Sequence, residues 1–289
     1  MYLPDFEYYA PNSVTEVCQL LSKFGDRAKV YSGGTDILPK MKNGLMAPEV
    51  LVSIKNLSEL KKIEYVEGKG LVIGGACTHN DLVFSEVLES KYSSVCKAAE
   101  TMAANQIRHV GTLGGNIASA VPSADMPPIL ITLNATVTLV GANGQRILPL
   151  EEVFLGPGKT ILANDEIITE VIIPDQKYTG SGYYKFALRK GGALAVVGVA
   201  ATINVEDDVI KDVKIGLGAV HPTPVRAKKA EEFLIGKKVS EEVFEEAGKI
   251  ACGECKPISD FRASAEYRTD LVRIYTRRVL MQITKKEND

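Results

Sequence analysis

The chain has 289 residues, 45% of them hydrophobic and 24% charged, the make-up of an ordinary globular protein with room for one large domain or a few smaller ones. A net charge of −2 supplies no broad basic field for nucleic acid or an anionic membrane, so any phosphate site has to be local. Five cysteines form an odd set without a disulfide framework, which points to a reducing cytoplasm. The first residues lack the basic-then-apolar pattern of a signal peptide, and no apolar run approaches the length of a membrane span.

In chain order, residues 6–9 open a strand. Ser13-Val14-Thr15-Glu16 has the capping-box form, and Val14, Val17, Leu20, Leu21 and Phe24 follow at helical spacing until Gly25 stops the helix. Residues 28–31 read as a short strand running into Ser32-Gly33-Gly34-Thr35-Asp36, after which 36–42 reads as a helix and 49–54 as a strand. This is a β-α-β-α-β unit with a glycine loop where a strand meets a helix N-terminus, a place where amides and the helix dipole favour an anion.

From residue 57 the pattern changes. Strands over 63–66 and 71–74 flank Glu67-Gly68-Lys69-Gly70 as a hairpin. Helices are predicted over 80–88 and 92–104. A second glycine loop follows at Gly111-Thr112-Leu113-Gly114-Gly115-Asn116, then a short helix from Asp125 with prolines in its first turn. Strands over 136–140 and 145–148 pair across Gly141-Ala142-Asn143-Gly144, and a strand over 165–173 is stopped by Pro174. A polar, glycine-rich stretch over 177–182 suggests a boundary near residue 176. Beyond it come strands over 183–189, 193–205 and 209–220, the last two joined at Asp207-Asp208, and helices over 226–234, 240–252 and 263–283. Residues 285–289 read as a frayed tail.

The chemistry-bearing residues are few. His79, His109 and His221 lie in separate segments with no metal-triad or nucleophile–base spacing, and read as surface or hydrogen-bonding histidines. Cys252-Gly253-Glu254-Cys255 is a lone CxxC, insufficient for a four-ligand metal site, and reads as structural. P-loop, Rossmann and serine-elbow motifs are absent. No catalytic residue and no metal ligand is assigned. Two glycine loops flanked by hydroxyl and amide side chains are instead suited to grip both sides of a diphosphate through backbone amides, without lysines. With so few acids, bases and nucleophiles, a bound cofactor would do the chemistry. Asp125 reads as a helix N-cap that can also meet such a cofactor. Lys185, between Tyr184 and Phe186, stands on a strand face where it could meet a flavin edge, while Gln106 and Arg108 stay ambiguous.

At this point the segments resemble a known family. Ser32-Gly33-Gly34-Thr35-Asp36, Gly74-Gly75-Ala76-Cys77-Thr78-His79-Asn80-Asp81-Leu82, Gln106-Ile107-Arg108 with Gly111-Thr112-Leu113-Gly114-Gly115-Asn116-Ile117, and Pro122-Ser123-Ala124-Asp125 are similar to the FAD-binding subunit of the xanthine dehydrogenase and carbon monoxide dehydrogenase family of molybdenum hydroxylases. The resemblance continues through Gly156-Pro157-Gly158-Lys159, Tyr184-Lys185-Phe186, Pro222-Thr223-Pro224-Val225-Arg226 and Phe261-Arg262-Ala263-Ser264-Ala265-Glu266-Tyr267-Arg268, and so spans nearly the whole chain.

The resemblance implies an α+β fold. An FAD-binding domain of the vanillyl-alcohol-oxidase (PCMH) type would have two subdomains, 1–55 and 56–175. A C-terminal α+β domain, 176–289, would hold a three-stranded antiparallel sheet and a helical bundle. It implies FAD held by Lys29, Val30, Tyr31, Ser32, Gly33, Gly34, Thr35 and Asp36 and by Thr112, Gly114, Gly115 and Asn116 at the diphosphate and ribityl region. Asp125 would bond a cofactor hydroxyl, Ile168 would pack by the flavin or adenine, and Lys185 would reach the flavin end. Met102 stands where some relatives have an aromatic residue near the flavin. The implied role is electron transfer: a molybdopterin-binding large subunit oxidises substrate, a small subunit relays electrons through [2Fe-2S] clusters, and this flavoprotein oxidoreductase subunit passes them to NAD or another acceptor. The implied assembly is a dimer of heterotrimers. The cysteine-rich [4Fe-4S] insert of one branch is missing here, so no cluster is expected in this chain. The competing readings are a stand-alone FAD oxidoreductase of the same fold and a nucleotide-binding module without redox work.

Overall fold

The computed structural model describes residues 2–285, and the tail expected at 285–289 lies, apart from Lys285, outside them. The first segment runs β1 (Glu7–Tyr9), α1 (Val14–Phe24), β2 (Ala28–Tyr31), α2 (Ile37–Lys42) and β3 (Val50–Ser53). The three strands make a parallel sheet in the order β1-β3-β2. At the start of α1 the Ser13 hydroxyl accepts the Glu16 amide at 3.2 Å. The Glu16 carboxylate reaches back to the Asn12 amide at 2.9 Å, so the reciprocal half of the capping box is displaced by one residue. Gly25, at φ 55°, turns the chain out of α1. Val17 and Leu21 then bury against Ala28, Val50 and Val52.

The second segment contains β4 (Ile63–Val66), β5 (Gly70–Gly74), α3 (His79–Val83), α4 (Glu86–Glu100), α5 (Asn105–Arg108), α6 (Leu113–Ala118), α7 (Met126–Thr132), β6 (Thr136–Gly141), β7 (Gly144–Pro149), β8 (Phe154–Gly156), β9 (Lys159–Thr160) and β10 (Ile167–Ile173). An antiparallel sheet of five strands runs β4-β5-β10-β6-β7. The helices expected over 80–88 and 92–104 are divided elsewhere. Ser85 caps a new helix by accepting the Leu88 amide at 3.3 Å, and Tyr92 sits inside α4 at a kink with φ −141° and ψ 50°. The Ser85 cap starts a helix inside the segment expected as one helix over 80–88. Of the second glycine stretch, expected as a loop, residues 113–116 form the first turn of α6 and Thr112 is its N-cap.

The third segment is β11 (Gly180–Phe186), β12 (Val197–Glu206), β13 (Val209–Gly218), β14 (Val225–Arg226), α8 (Lys228–Leu234), α9 (Glu241–Cys252) and α10 (Ala265–Thr284). The three long antiparallel strands expected are present, with the two-residue β14 added at the β13 edge. Asp207 and Asp208, at φ 51° and 60°, form the β12–β13 turn. Residues 187–196, expected partly in strands, form a loop instead.

Strand β12 explains how the segments stack, because both of its faces are covered. Val197, Val199, Ala201 and Ile203 join the core with α8, α9 and α10. On the other face, Ala200 joins the core built from α4, α7 and the five-stranded sheet. The Thr202 hydroxyl meets that of Thr132 at 3.0 Å. Helix α7 approaches β13 so closely that a Cβ on Gly216 would fall 2.4 Å from the Pro128 carbonyl oxygen. Helices α4 and α7 thus lie between two sheets, and the third segment is packed onto the second as a continuation of its core. Among the described residues no helix is long and apolar enough to cross a membrane.

Candidate functional site

A cavity of about 520 Å³ opens where the three segments meet. From the first come Lys29 and Val30 at the end of β2, then Ser32, Gly33, Gly34, Thr35 and Asp36. From the second come Met102, Thr112, Gly114, Gly115, Asn116, Asp125 and Ile168, and from the third the loop residues Gly192, Ala193 and Leu194. The two glycine stretches, far apart in sequence, are therefore brought together.

Two of the residues expected at the site do not line the cavity. The Tyr31 ring packs edge-on against Tyr8 at 6.2 Å and under the Lys55 ammonium at 5.4 Å. The Lys185 ammonium is buried and committed to the Asp125 carboxylate at 2.8 Å and the Thr101 carbonyl at 3.0 Å.

The glycines have a tertiary reason as well as a local one. A Cβ on Gly33 would sit 2.0 Å from the Val110 carbonyl oxygen, and one on Gly114 would sit 2.6 Å from that of Gly75. The first contact welds the two segments backbone to backbone, and the second holds the start of α6 against the chain leaving β5. Only Gly34, at φ 76°, needs glycine for its conformation. A hydroxyl pair completes the seam, Ser32 Oγ lying 3.0 Å from Thr112 Oγ1.

The two stretches are not equivalent as anion cradles. In α6 the Thr112 hydroxyl accepts the Gly115 amide at 3.2 Å, while the amides of Leu113 and Gly114 donate to the Cys77 and Gly75 carbonyls at 2.9 Å. The expectation that both stretches offer free amides is thus corrected, because the Thr112 cap and the carbonyls of Gly75 and Cys77 occupy those of the second. No protein acceptor is found among the described residues for the amides of Gly33, Gly34, Thr35 and Asp36. The first stretch keeps the open donors, and the second contributes side chains. Asn116 directs its Nδ2 at the Met102 sulfur, 3.8 Å away, and its buried Oδ1 has no partner among the described residues. Lysines are not dispensed with either, for Lys40 lines the cavity beside the expected Lys29.

His79 departs from the reading of the histidines as surface or hydrogen-bonding side chains. The Thr78–Asp81 capping box starts α3 and fixes His79 in its first turn, where it is 1% exposed and borders the cavity. Burial and the nearby Arg108 guanidinium push its pKa down to about 4, which keeps the ring neutral near pH 7, and its Nδ1 has no partner among the described residues. The signal in the sequence was the cap, which fixes where the ring stands, and it was read only as a motif. Arg108 donates to the Met102 carbonyl at 3.0 Å, whereas Gln106 is exposed.

Asp125 also departs from expectation. It precedes α7 but makes no side-chain cap. Its carboxylate, 4% exposed, accepts from Tyr183 Oη at 2.9 Å and Lys185 Nζ at 2.8 Å. Burial raises its pKa, and the Lys185 charge and both hydrogen bonds oppose that rise. The CxxC thiols face inward, Cys252 donating to the Thr269 carbonyl at 3.2 Å and Cys255 to the Cys252 carbonyl at 3.1 Å, and burial pushes both pKa values up.

The donor set fits the FAD that the resemblance implies. A run of unpaired amides and two lysines suit a diphosphate, an orphaned carboxamide oxygen and a buried carboxylate suit hydroxyl or ring N–H donors, and the volume is that of a site for a large organic ligand.

Comparison with known proteins agrees. Residues 4–176 match the family model described as the FAD binding domain in molybdopterin dehydrogenase, and residues 182–283 match the CO dehydrogenase flavoprotein C-terminal domain. The chain is 35% identical to the carbon monoxide dehydrogenase medium chain of Hydrogenophaga pseudoflava, covering 97% of each. It is also 35% identical to the nicotine 6-hydroxylase medium subunit of Paenarthrobacter nicotinovorans, over 98% of each. Among solved structures, the carbon monoxide dehydrogenase of H. pseudoflava superposes with a TM-score of 0.94 at 35% identity, covering 97% of this chain and 98% of that one. Quinoline 2-oxidoreductase from Pseudomonas putida 86 superposes with a TM-score of 0.93 at 31% identity, covering 98% of each. The fold, the cavity and these matches together establish that the chain belongs to the FAD-binding medium subunits of the carbon monoxide/xanthine dehydrogenase family of molybdenum hydroxylases, and is an oxidoreductase subunit.

Proposed function

We propose that this chain is the electron-transfer flavoprotein of a cytoplasmic molybdenum hydroxylase. It takes electrons from the [2Fe-2S] clusters of a small subunit and passes them to NAD or another acceptor, while a molybdopterin-binding large subunit oxidises the substrate. A dimer of heterotrimers is the assembly this reading implies. FAD lies between the subdomains 1–55 and 56–175, with the 176–289 domain closing one end. Bound FAD supplies an isoalloxazine that accepts electrons singly and gives them up in pairs.

The chain's own residues bind and orient. The open amides of Gly33 to Asp36, with Lys29 and Lys40, hold the diphosphate, and Thr112 and Asn116 meet the ribityl region. Met102 and Ile168 supply apolar wall, and Asp125 fixes a polar group at the end nearest the third segment. Tyr31 and Lys185 act one step back, as packing and as partner to Asp125. The observation that carries this is the meeting of the two glycine stretches on one large cavity. Relatives of equal identity are named for carbon monoxide and for nicotine, which fits a chain that does not choose the substrate.

The test is purification with the neighbouring gene products. The expected result is a yellow, dithionite-bleachable chain that co-purifies with iron–sulfur and molybdopterin subunits. Turnover of a small alcohol by the isolated chain would favour the stand-alone oxidoreductase instead, and a chain that stays colourless with added FAD would end both readings.

A further inference from the structure

Side chains alternate along β11, and the alternation separates packing from polar work. Tyr184 stacks on Tyr275 of α10, with centroids 5.6 Å apart and planes 13° apart, and Phe186 meets Tyr267 at 5.9 Å. Tyr183 and Lys185 take the other face. Their polar ends converge on one carboxylate, Tyr183 on Asp125 Oδ1 at 2.9 Å and Lys185 on Oδ2 at 2.8 Å. Asp125 lines the cavity, and neither of its two partners does.

We propose that Tyr183 is a positioning residue of the cofactor site, whose hydroxyl sets the orientation of the Asp125 carboxylate and thereby the acceptor that Asp125 presents to bound FAD. The inference rests on the reading of the cavity as the FAD site. One donor on each oxygen fixes the plane of the carboxylate, which a single salt bridge to Lys185 would leave free to swivel. An ionised carboxylate has about four acceptor positions, so two remain for a ligand. Burial pushes the Tyr183 phenol well above its usual range, so the hydroxyl stays a donor.

The neighbouring strand is shaped around that hydroxyl. Gly198 pairs with Lys185 across β11 and β12, and a Cβ on it would fall 2.7 Å from Tyr183 Oη and 3.2 Å from Cε2. Residue 198 thus leaves room for the edge of the Tyr183 ring and, most tightly, for its hydroxyl. The contacts of Tyr184 and Phe186 with α10, against those of Tyr183 and Lys185 with Asp125, show which face is which.

The test uses the full chain reconstituted with FAD, comparing wild type, Tyr183→Phe and Gly198→Ala. The second variant keeps the phenol but forces it off its place, so a folding failure in one leaves the other to decide. Flavin fluorescence gives the dissociation constant, visible circular dichroism reports the flavin's surroundings, and thermal melting of the apoprotein reports packing. The expected outcome is FAD binding weakened about tenfold, the scale of one lost hydrogen bond to a charged group, with altered visible circular dichroism. Variants that bind FAD like wild type with unchanged visible circular dichroism overturn the inference, whether or not the melting point falls. A wild type that binds no FAD overturns the reading of the cavity, and this inference with it.

Discussion

The Thr112 hydroxyl stands 3.0 Å from that of Ser32 and accepts the Gly115 amide at 3.2 Å, so one side chain both caps α6 and joins two stretches 80 residues apart. Thr112→Val keeps the shape and removes both bonds. Loss of an N-cap costs about 1 kcal/mol, so a lower denaturation midpoint is expected together with weaker FAD retention, and Thr112→Ser should restore both. A valine variant with wild-type midpoint and flavin content would show that the seam does not depend on this hydroxyl.

Gly33→Ala places a methyl group 2.0 Å from the Val110 carbonyl oxygen, with backbone on both sides and little room to yield. Overpacking of this kind costs about 1–3 kcal/mol, and opening the seam should abolish flavin retention before the fold is lost. Gly191→Ala, where a Cβ meets nothing within 4 Å, is the control expected to keep its flavin. Gly115→Val is expected to fail as well, because its Cβ would crowd the Thr112 hydroxyl at 2.9 Å. Absorbance at the flavin band after gel filtration reads all three.

His79 sets a pH dependence whose sign follows from proton counting. Its pKa is 6.5 in an ordinary setting and about 4 when folded, so between these values the unfolded chain binds more protons. Stability should therefore fall as pH drops through this window, by roughly 3 kcal/mol if the whole shift is expressed. His79→Gln should show a flatter profile over the same window by urea denaturation. Parallel profiles for wild type and variant would mean that the ring titrates normally.

Arg268, 1% exposed, donates to the Val196 carbonyl at 2.6 Å and to Asp260 at 2.9 Å. It thus ties α10 to the end of the 187–196 loop, whose residues 192–194 reach the cavity. Arg268→Met leaves a buried carbonyl without its donor, and a loss of about 3 kcal/mol is expected. Protease cleavage within 187–196 should accelerate in parallel. Unchanged cleavage would show that the loop is held by other contacts.

Cys252→Ala should leave flavin content unchanged. Burial raises the pKa of both CxxC thiols, so iodoacetamide at neutral pH should label them more slowly than a free cysteine. Fast labelling, or loss of flavin in the variant, would contradict a purely structural role.

Much of the architecture was legible because local rules produced it. The Ser13 cap, the Gly25 stop and the Asp207-Asp208 turn depend on residues within a few positions of one another. The α4 boundary was misplaced because the Ser85 capping bond that decides the break lies inside the helix expected over 80–88. Lys40 carries no motif and His79 was read only as part of one, and each reaches the cavity through the packing of its helix.

Residue order alone determined the glycine stretches, the strand-to-helix junctions and the family resemblance, since these rest on short-range conformational preference and on motifs kept in sequence order. Tertiary structure alone decided which amides stay free, that Asp125 is held by Tyr183 and Lys185 rather than capping α7, and that Gly33 and Gly114 serve backbone contact. Those outcomes depend on groups tens of residues apart competing for the same hydrogen bonds and the same space, a competition settled only when the sheets and helices close on one another.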